Sequence, residues 1–333
     1  MAGASPDKIK VGPINQVALM VNDTKKVAED YWKILGIGPW DIFTLEDPIV
    51  FNETYRGKPT YYGYKVGLCQ YGGLQLELIQ PTVGDSMYSD FIKEHGEGLQ
   101  HIQYLANTID EAKKDIKLFA EHGCPLLMDG YFGDGYWAYI DTTSILKCVW
   151  EVVKMPSSIS APHVRVPADE AAVSPAEIVV EAITQIGIVV ENLEEAMEGY
   201  WSILGFGPWD IIEAAPPLLH HVTYHGRPSS VTERVGYVMI GPTQLQLVQP
   251  ILGDNIYSDF MAKHGEGLDH LQFTVNDISE TTEIMNRGGF PTLMAGEFSD
   301  GAFAYYDTAE SLKCVWKALQ PPKKMPPMGR YPS

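Results

Sequence analysis

The sequence has few positive charges for its length. Of its 333 residues, 24 are Lys or Arg and 43 are Asp or Glu, so the formal net charge is -19. Binding to nucleic acid or to an anionic membrane surface needs a concentrated basic face. No segment supplies such a face, and we expect neither nucleic acid nor membrane among the partners.

Long apolar runs and paired cysteines are also missing. No stretch reaches the roughly 18 apolar residues of a membrane span, and the opening MAGASPDKIK lacks the apolar region of a signal peptide. The cysteines show no metal-type spacing, and they are Cys69, Cys124, Cys148 and Cys314. We therefore expect a cytoplasmic protein whose cysteines are reduced core residues.

What the chain does contain is a copy of itself. INQVALMVND at 14–23 returns as ITQIGIVVEN at 183–192, and HGEGLQHIQY at 95–104 returns as HGEGLDHLQF at 264–273. The offset is 169 over these segments and 166 nearer the end of each copy, where LKCVWEVV at 146–153 returns as LKCVWKAL at 312–319. A repeat of this length predicts two domains of the same fold.

The two copies are assigned to residues 1–155 and 180–320. The segment 156–179 between them is rich in Pro, Ser and Ala and has no hydrophobic period, which is typical of a linker. Residues 321–333 are rich in proline, and we expect this tail to wrap the surface or to fray.

In each copy, the predicted order of a strand, a helix and further strands occurs twice. KKVAEDYWKILG carries its apolar residues on one helical face and ends at Gly36, whereas LQLELIQ alternates like a half-buried strand. A second helix is predicted from Ile109 to about His122. The pattern indicates an α+β fold with two strand–helix–strands units in each half.

Four polar residues of the first half stand among apolar neighbours in predicted strands: Gln16, Glu77, His101 and Glu151. Because strand side chains alternate between faces, these residues project away from the core. Singly, each is more typical of a solvent-facing or hydrogen-bonded side chain. Together, two carboxylates, an imidazole and an amide oxygen suit a divalent metal such as Zn, Ni, Co, Mn, Fe or Mg.

These segments resemble the vicinal oxygen chelate superfamily, and in particular its methylmalonyl-CoA epimerase-like and glyoxalase I-like branches. The resemblance is carried by YWKILGIGPW, ELIQPTVGDSMYSDF, GLQHIQY and CVWEVV, together with their second copies. It implies tandem domains in which four βαβββ modules form two cup-shaped half-barrels.

The resemblance also implies which residues hold the metal. In the first half the implied ligands are Gln16, Glu77, His101 and Glu151, a set similar to that of the eukaryotic zinc glyoxalases. The corresponding residues of the second half are Gln185, Gln246, His270 and Lys317. Both carboxylates are missing there and an ammonium takes the last position, so the charge opposes a dication. We expect one metal ion, in the first half only.

The activity implied by the resemblance is that of a metal-dependent epimerase or isomerase, or a related lyase. Such an enzyme abstracts a proton next to a carbonyl through a metal-stabilised enediolate. We expect Glu151 to be the base and Glu77 the second acid/base. The substrate is expected to be a small carbonyl compound, and its aromatic or apolar body would meet the candidate pocket residues Trp40, Tyr62, Tyr64 and Trp137.

Two other functions stay open. A tandem non-haem iron dioxygenase is disfavoured, because the resemblance to that branch requires two His and one carboxylate, commonly in the C-terminal half. A metal-free small-molecule binding protein is the other alternative. Both a monomer and a homodimer are compatible with the sequence, because two cups in one chain can replace the pairing of single-domain relatives.

One histidine cluster in the second half suggests a metal at first sight. His220, His221 and His225 are close in sequence, whereas the first half has VFNETYRG at that place, without a ligand cluster. We therefore favour surface or pocket lining for these three residues.

Overall fold

The computed structural model describes residues 6–169, 171–324 and 329–332, and in these the two repeats form two curled sheets of eleven strands each. The strands of the first sheet are β1 (Gln16–Met20), β2 (Trp40–Leu45), β3 (Val50–Tyr55), β4 (Lys58–Pro59), β5 (Gly63–Tyr71), β6 (Leu74–Val83), β7 (Gly98–Leu105), β8 (Leu126–Phe132), β9 (Gly135–Ile140), β10 (Val149–Lys154) and β11 (Val164–Val166).

The second sheet repeats this arrangement. Its strands are β12 (Gln185–Val189), β13 (Trp209–Ala214), β14 (Leu219–Tyr224), β15 (Arg227–Pro228), β16 (Thr232–Ile240), β17 (Thr243–Leu252), β18 (Gly267–Thr274), β19 (Thr292–Phe298), β20 (Gly301–Tyr306), β21 (Val315–Gln320) and β22 (Gly329–Tyr331).

Eight helices accompany the sheets within the described residues. They are α1 (Thr24–Leu35), α2 (Met87–His95), α3 (Ile109–Glu121), α4 (Thr143–Leu146), α5 (Leu193–Leu204), α6 (Ile256–His264), α7 (Ile278–Arg287) and α8 (Ala309–Leu312). No helix among the described residues is both long and apolar enough to cross a membrane.

The strand order places the first strands of the two units side by side. In the first sheet it is β11-β2-β5-β6-β1-β7-β10-β9-β8-β3-β4. β1 pairs antiparallel with β7 at the centre, and each pairs in parallel with the last strand of its own unit, β6 or β10. The four strands that carry the polar residues singled out in the sequence are therefore adjacent, in the order β6, β1, β7 and β10.

Helix α1 shows why the sequence forms these elements where it does. The side chain of Asp23 accepts a hydrogen bond from the Lys26 amide and caps the first turn. Val27 and Tyr31 lie on the buried face, and Gly36 ends the helix with φ at 68°, a left-handed conformation that costs glycine little.

The helices tie the two halves together, because α1 packs against the second half and α5 against the first. The Tyr31 hydroxyl donates to the Leu312 carbonyl oxygen at 2.8 Å, and its ring centroid lies 6.1 Å from that of Trp316. Tyr200 makes the matching bond to the Leu146 carbonyl oxygen at 2.8 Å and lies beside Trp150. One apolar core therefore spans both halves, which explains why LKCVW is repeated.

The segments predicted as linker and tail each contribute an edge strand. β11 pairs antiparallel with β2, and β22 pairs antiparallel with the equivalent strand β13. An arginine anchors each of them: Arg165 Nε lies 2.7 Å from Asp41 Oδ1, and Arg330 Nη2 lies 2.8 Å from Asp210 Oδ1. A strand of three residues is too short to show an alternating hydrophobic pattern, so neither strand was predicted from the proline-rich sequence. Residues 325–328 and 333 of the tail lie outside the described residues.

Candidate metal centre

Three polar side chains form one row across neighbouring strands. In the backbone register, Gln103 on β7 lies opposite Gln16 on β1 and opposite Glu151 on β10. The Gln103 side-chain amide donates to Gln16 Oε1 and, over 3.1 Å, to Glu151 Oε2. Because Gln103 donates to both side chains, it holds them in a fixed relation to one another.

A second row lies two residues away from the first on β1 and β7, so its side chains face the same side of the sheet. In it, Ala18 on β1 is flanked by Glu77 on β6 and by His101 on β7. The small side chain of Ala18 leaves room above β1 for the two larger groups to approach each other. The register thus brings the four residues predicted from the sequence onto one face.

The carboxylates converge on one nitrogen of His101. Its Nε2 lies 3.2 Å from Glu77 Oε2 and 3.4 Å from Glu151 Oε2. All three residues are buried, and His101 is 0% exposed. One potential ligand atom from each lies within 4.8 Å of the others, a spacing at which a single ion can contact all three.

The orientation of His101 depends on a bulge in β7. Ala18 pairs with His101 but the next residue of β1 pairs with Leu99, so Gln100 is the extra residue. The His101 Nδ1–H donates to Gln100 Oε1 at 2.6 Å. This hydrogen bond leaves Nε2 facing the carboxylates, which is the orientation of histidines that bind a metal through Nε2.

Burial and the carboxylates act against each other on His101. Burial disfavours the imidazolium, but the close contacts and charges of Glu151 and Glu77 outweigh it and raise the pKa of His101 to about 9. Burial, together with the nearby Glu151 charge, raises the pKa of Glu77 above its ordinary value, although its contact with His101 opposes this. The imidazolium is then the cation between the two carboxylates, and a divalent ion bound to all three groups would take the place of its proton.

The residues present fit a divalent metal. His101 Nε2 and Glu77 Oε2 are buried and lie 3.2 Å apart, but their contact does not have the geometry of a hydrogen bond. Leaving such atoms unpaired costs free energy, and an ion bound to both removes that cost. Two carboxylate oxygens, one imidazole nitrogen and one amide oxygen are an accepted donor set for several divalent ions.

Three of the four candidate pocket residues lie together on the cup side of the sheet. Tyr62, Tyr64 and Trp137 belong to one buried cluster, in which the Tyr62 ring lies 6.0 Å from that of Tyr64 and 6.2 Å from that of Trp137. Trp40 does not belong to this cluster, so its prediction as a pocket residue is wrong. It lies in the core between the sheet and the helices, and its indole N–H donates to the Ile37 carbonyl oxygen.

Sequence reasoning missed Gln103 and Gln100. The strand period predicts Gln103, because it stands two residues after His101 and shares its face, and Gln272 repeats it in the second half. The strand period does not predict the role of Gln100. Its contact with His101 depends on a bulge, which alternation between faces does not predict.

The second cup has the same backbone frame with different charges. His270 Nδ1–H donates to Asp269, the bulge residue of β18, and Lys317 Nζ donates to Gln185 Oε1 over 3.4 Å. Burial lowers the pKa of His270, so its imidazole is neutral at pH 7. Burial also lowers the pKa of Lys317 to about 8, although the charges of Glu233 and Asp269 oppose this.

His220 and His221 come together with Glu297 at the surface. Glu297 Oε2 lies 3.6 Å from His220 Nδ1 and 3.2 Å from His221 Nδ1. Glu297 is about half exposed and His221 more so. The trio could hold an ion, but it lacks the buried donors of the first cup.

A family model described as "Glyoxalase/Bleomycin resistance protein/Dioxygenase superfamily" matches residues 15–139 and again 184–306. The two matches cover most of the chain. The protein therefore belongs to this superfamily, and its two curled sheets are tandem vicinal oxygen chelate domains.

Individual relatives are distant. The uncharacterized protein YqjC of Bacillus subtilis (strain 168) is 34% identical over 77 residues, which are 21% of this chain and 55% of that protein. A mutant of 4-hydroxymandelate synthase from Streptomyces coelicolor has a similar structure, with a TM-score of 0.61, 12% identity and 93% of each chain covered. A Mn(II)-bound glyoxalase from Novosphingobium aromaticivorans has a TM-score of 0.50 and 11% identity, covering 93% of this chain and 82% of its own. These likenesses support the fold.

The buried lysine should give the stability of the protein a characteristic pH dependence. The groups that act on Lys317 are Glu233, Asp269 and His270. Because its folded pKa of about 8 lies below the ordinary lysine pKa of 10.5, the unfolded chain binds more protons between these values. The cost of burying the ammonium is therefore present below pH 8 and is relieved as the pH rises to about 10.5.

We expect Lys317→Met to be more stable than the wild type at pH 7, with a difference that shrinks over this range. Chemical denaturation of both proteins at several pH values measures it. Tyrosines and cysteines titrate in both proteins, so the difference reports Lys317 together with Glu233, whose pKa the ammonium lowers. A difference that stays constant with pH would contradict the assignment.

Proposed function

We propose that the first cup binds one divalent metal ion and catalyses proton transfer at a carbon next to a carbonyl, as an epimerase or isomerase or a related lyase. Glu77, His101, Glu151 and Gln16 would hold the ion. The observation that carries the proposal is the convergence of two buried carboxylates on Nε2 of His101. When bound, a divalent ion acts as a Lewis acid that stabilises negative charge developing on a substrate oxygen.

The two carboxylates come from strands on either side of the central pair β1 and β7, which supports two roles in proton transfer. Glu77 stands on β6 and Glu151 on β10, with β1 and β7 between them. One carboxylate can take a proton from one face of a planar carbon while the other returns a proton to the opposite face, which inverts the stereocentre. We assign Glu151 as the base, because a hydrogen bond from Gln103 to Glu151 Oε2 fixes the orientation of this carboxylate.

The walls of the cup favour a substrate with an aromatic or apolar body. Tyr62, Tyr64 and Trp137 are at most 5% exposed and lie in one cluster beside the proposed ligands. Tyr139 adds an edge-to-face contact with His101, at a centroid distance of 4.9 Å. Rings held in this way exclude water and strengthen electrostatic interactions at the reacting centre.

A dioxygenase is the second candidate, because a solved structure of similar fold is named 4-hydroxymandelate synthase. The first cup has one histidine and two carboxylates, whereas we expect two histidines and one carboxylate in the dioxygenase branch. Oxygen consumption with the substrates tested below separates the two candidates.

Metal content is the first test. We expect about one divalent ion per chain in the wild type, and loss of the ion in Glu151→Ala and His101→Ala because each substitution removes a donor atom. Elemental analysis after gel filtration measures it. Lys317→Ala, the matched change in the second cup, should keep the ion. A wild type without stoichiometric metal would support the alternative of a metal-free binding protein.

The role of Gln103 can be tested apart from direct ligation. Gln103→Leu removes the amide that orients Gln16 and Glu151, and we expect the metal affinity to fall about 10- to 100-fold, as for other partners of ligating side chains. Competition with a chelator of known affinity measures this. Gln272→Leu makes the same change in the second cup and should leave the affinity unaltered. Equal effects of both variants would indicate a general loss of stability.

Proton transfer is tested by isotope exchange. We expect the wild type to incorporate solvent deuterium at the α-carbon of at least one compound in a panel of chiral aryl and alkyl carbonyl compounds, followed by proton NMR. At equal metal occupancy, Glu151→Gln should lower the exchange rate by about 10²- to 10⁴-fold, the usual contribution of a general base. Substrate turnover without exchange would count against the epimerase mechanism.

A further inference from the structure

The second cup contains a cavity of about 320 Å³ on the same side of the sheet as Gln185, Gln246 and Lys317. Sites for small ligands usually measure about 300–1,000 Å³, so this cavity is large enough for a small organic molecule. It lies in the half that lacks both carboxylates of the first cup. Any ligand it takes must be recognised without them.

Sequence differences between the copies account for the space. Along β13 and β16, three residues that line the cavity are smaller or more polar than their counterparts in the first half. Phe43 is replaced by Ile212, Leu45 by Ala214 and Tyr64 by Glu233. The loss of two aromatic rings from these positions opens the cup.

Lys317 brings a positive charge into this cavity. The residue is 7% exposed and lines the cavity. Its Nζ has a long hydrogen bond of 3.4 Å to Gln185 Oε1 and lies 5.3 Å from the centroid of the Tyr305 ring. Lys317 forms no salt bridge with any residue of the described part of the chain. An ammonium group has three donors, so most of its bonding capacity is open to a ligand.

The acidic and amide groups near Lys317 do not neutralise this charge by contact. Burial raises the pKa of Glu233 to about 7, so a large share of this carboxyl group is protonated at neutral pH. Asp269 is occupied by its hydrogen bond with His270. Gln246 Oε1 and Glu233 Oε1 are buried and have no hydrogen-bond partner among the described residues, so both side chains can still bond to a ligand, Gln246 through its NH₂ group and Glu233 as a donor when it is protonated.

We propose that the second cup is a binding site for a small organic carboxylate with an aromatic or apolar body. The carboxylate would pair with Lys317, because a buried unpaired ammonium is costly and a charge-assisted hydrogen bond removes that cost. The body would lie against Met294, Phe303 and Tyr305, which line the same cavity. This site needs no metal and does not depend on the function proposed for the first cup.

Isothermal titration with matched probes tests the proposal. The probes are benzoate, phenylacetate and 3-phenylpropionate, each beside its neutral amide. We expect at least one carboxylate to bind the wild type at least about tenfold more tightly than its amide, which corresponds to about 1.4 kcal/mol. In Lys317→Met this preference should disappear. The proposal is overturned if no carboxylate binds with a Kd below about 1 mM, or if the preference survives in Lys317→Met.

Two further variants assign the binding to this cup. Glu151→Ala alters the first cup and should leave probe binding unchanged, whereas loss of binding would place the probe on the proposed metal centre and overturn the inference. Ala214→Trp fills the cavity from a partly exposed position and keeps Lys317. It should weaken binding at least about tenfold, and unchanged binding would also overturn the proposal. Circular dichroism of every variant checks the fold, and the metal content of Lys317→Met and Ala214→Trp checks that the first cup is intact.

Discussion

The antiparallel pairing of β1 with β7 is the constraint on which the first cup depends. It joins the opening strands of two strand–helix–strands units, and the parallel partners β6 and β10 flank it. Side chains from four distant parts of the sequence therefore face one another across the central strands. A shift of the register by one residue would turn a strand's side chains to the other face, and Gln103 would no longer lie between Gln16 and Glu151.

The same frame carries two different sets of polar residues in one chain. β12 and β18 repeat the central pairing with the same bulge, yet Lys317 and Gln246 stand where the first cup has Glu151 and Glu77. The backbone sets the positions, and the residues at those positions give the two cups different charges. The two cups still depend on each other, because α1 and α5 each pack on the opposite half.

Much of this arrangement could be predicted from the sequence. The repeat predicts the two sheets, and alternation along strands predicts that Gln16, Glu77, His101 and Glu151 share a face. The failures have physical reasons. Trp40 is an aromatic residue at the start of a strand, and composition alone does not tell which face it takes. The bulge at Gln100 breaks the period of two, and β11 and β22 are recognised only through their pairing with distant strands.

The edge strands change the meaning of the segment between the copies. Arg165 on β11 contacts Asp41, and Arg330 on β22 contacts Asp210, which is the residue equivalent to Asp41 in the second copy. The linker of the first half and the tail of the second are thus corresponding parts of one repeated unit. What joins the two copies is therefore the closing strand of the first copy, and cutting the chain at residue 155 would remove part of the first sheet along with the connection.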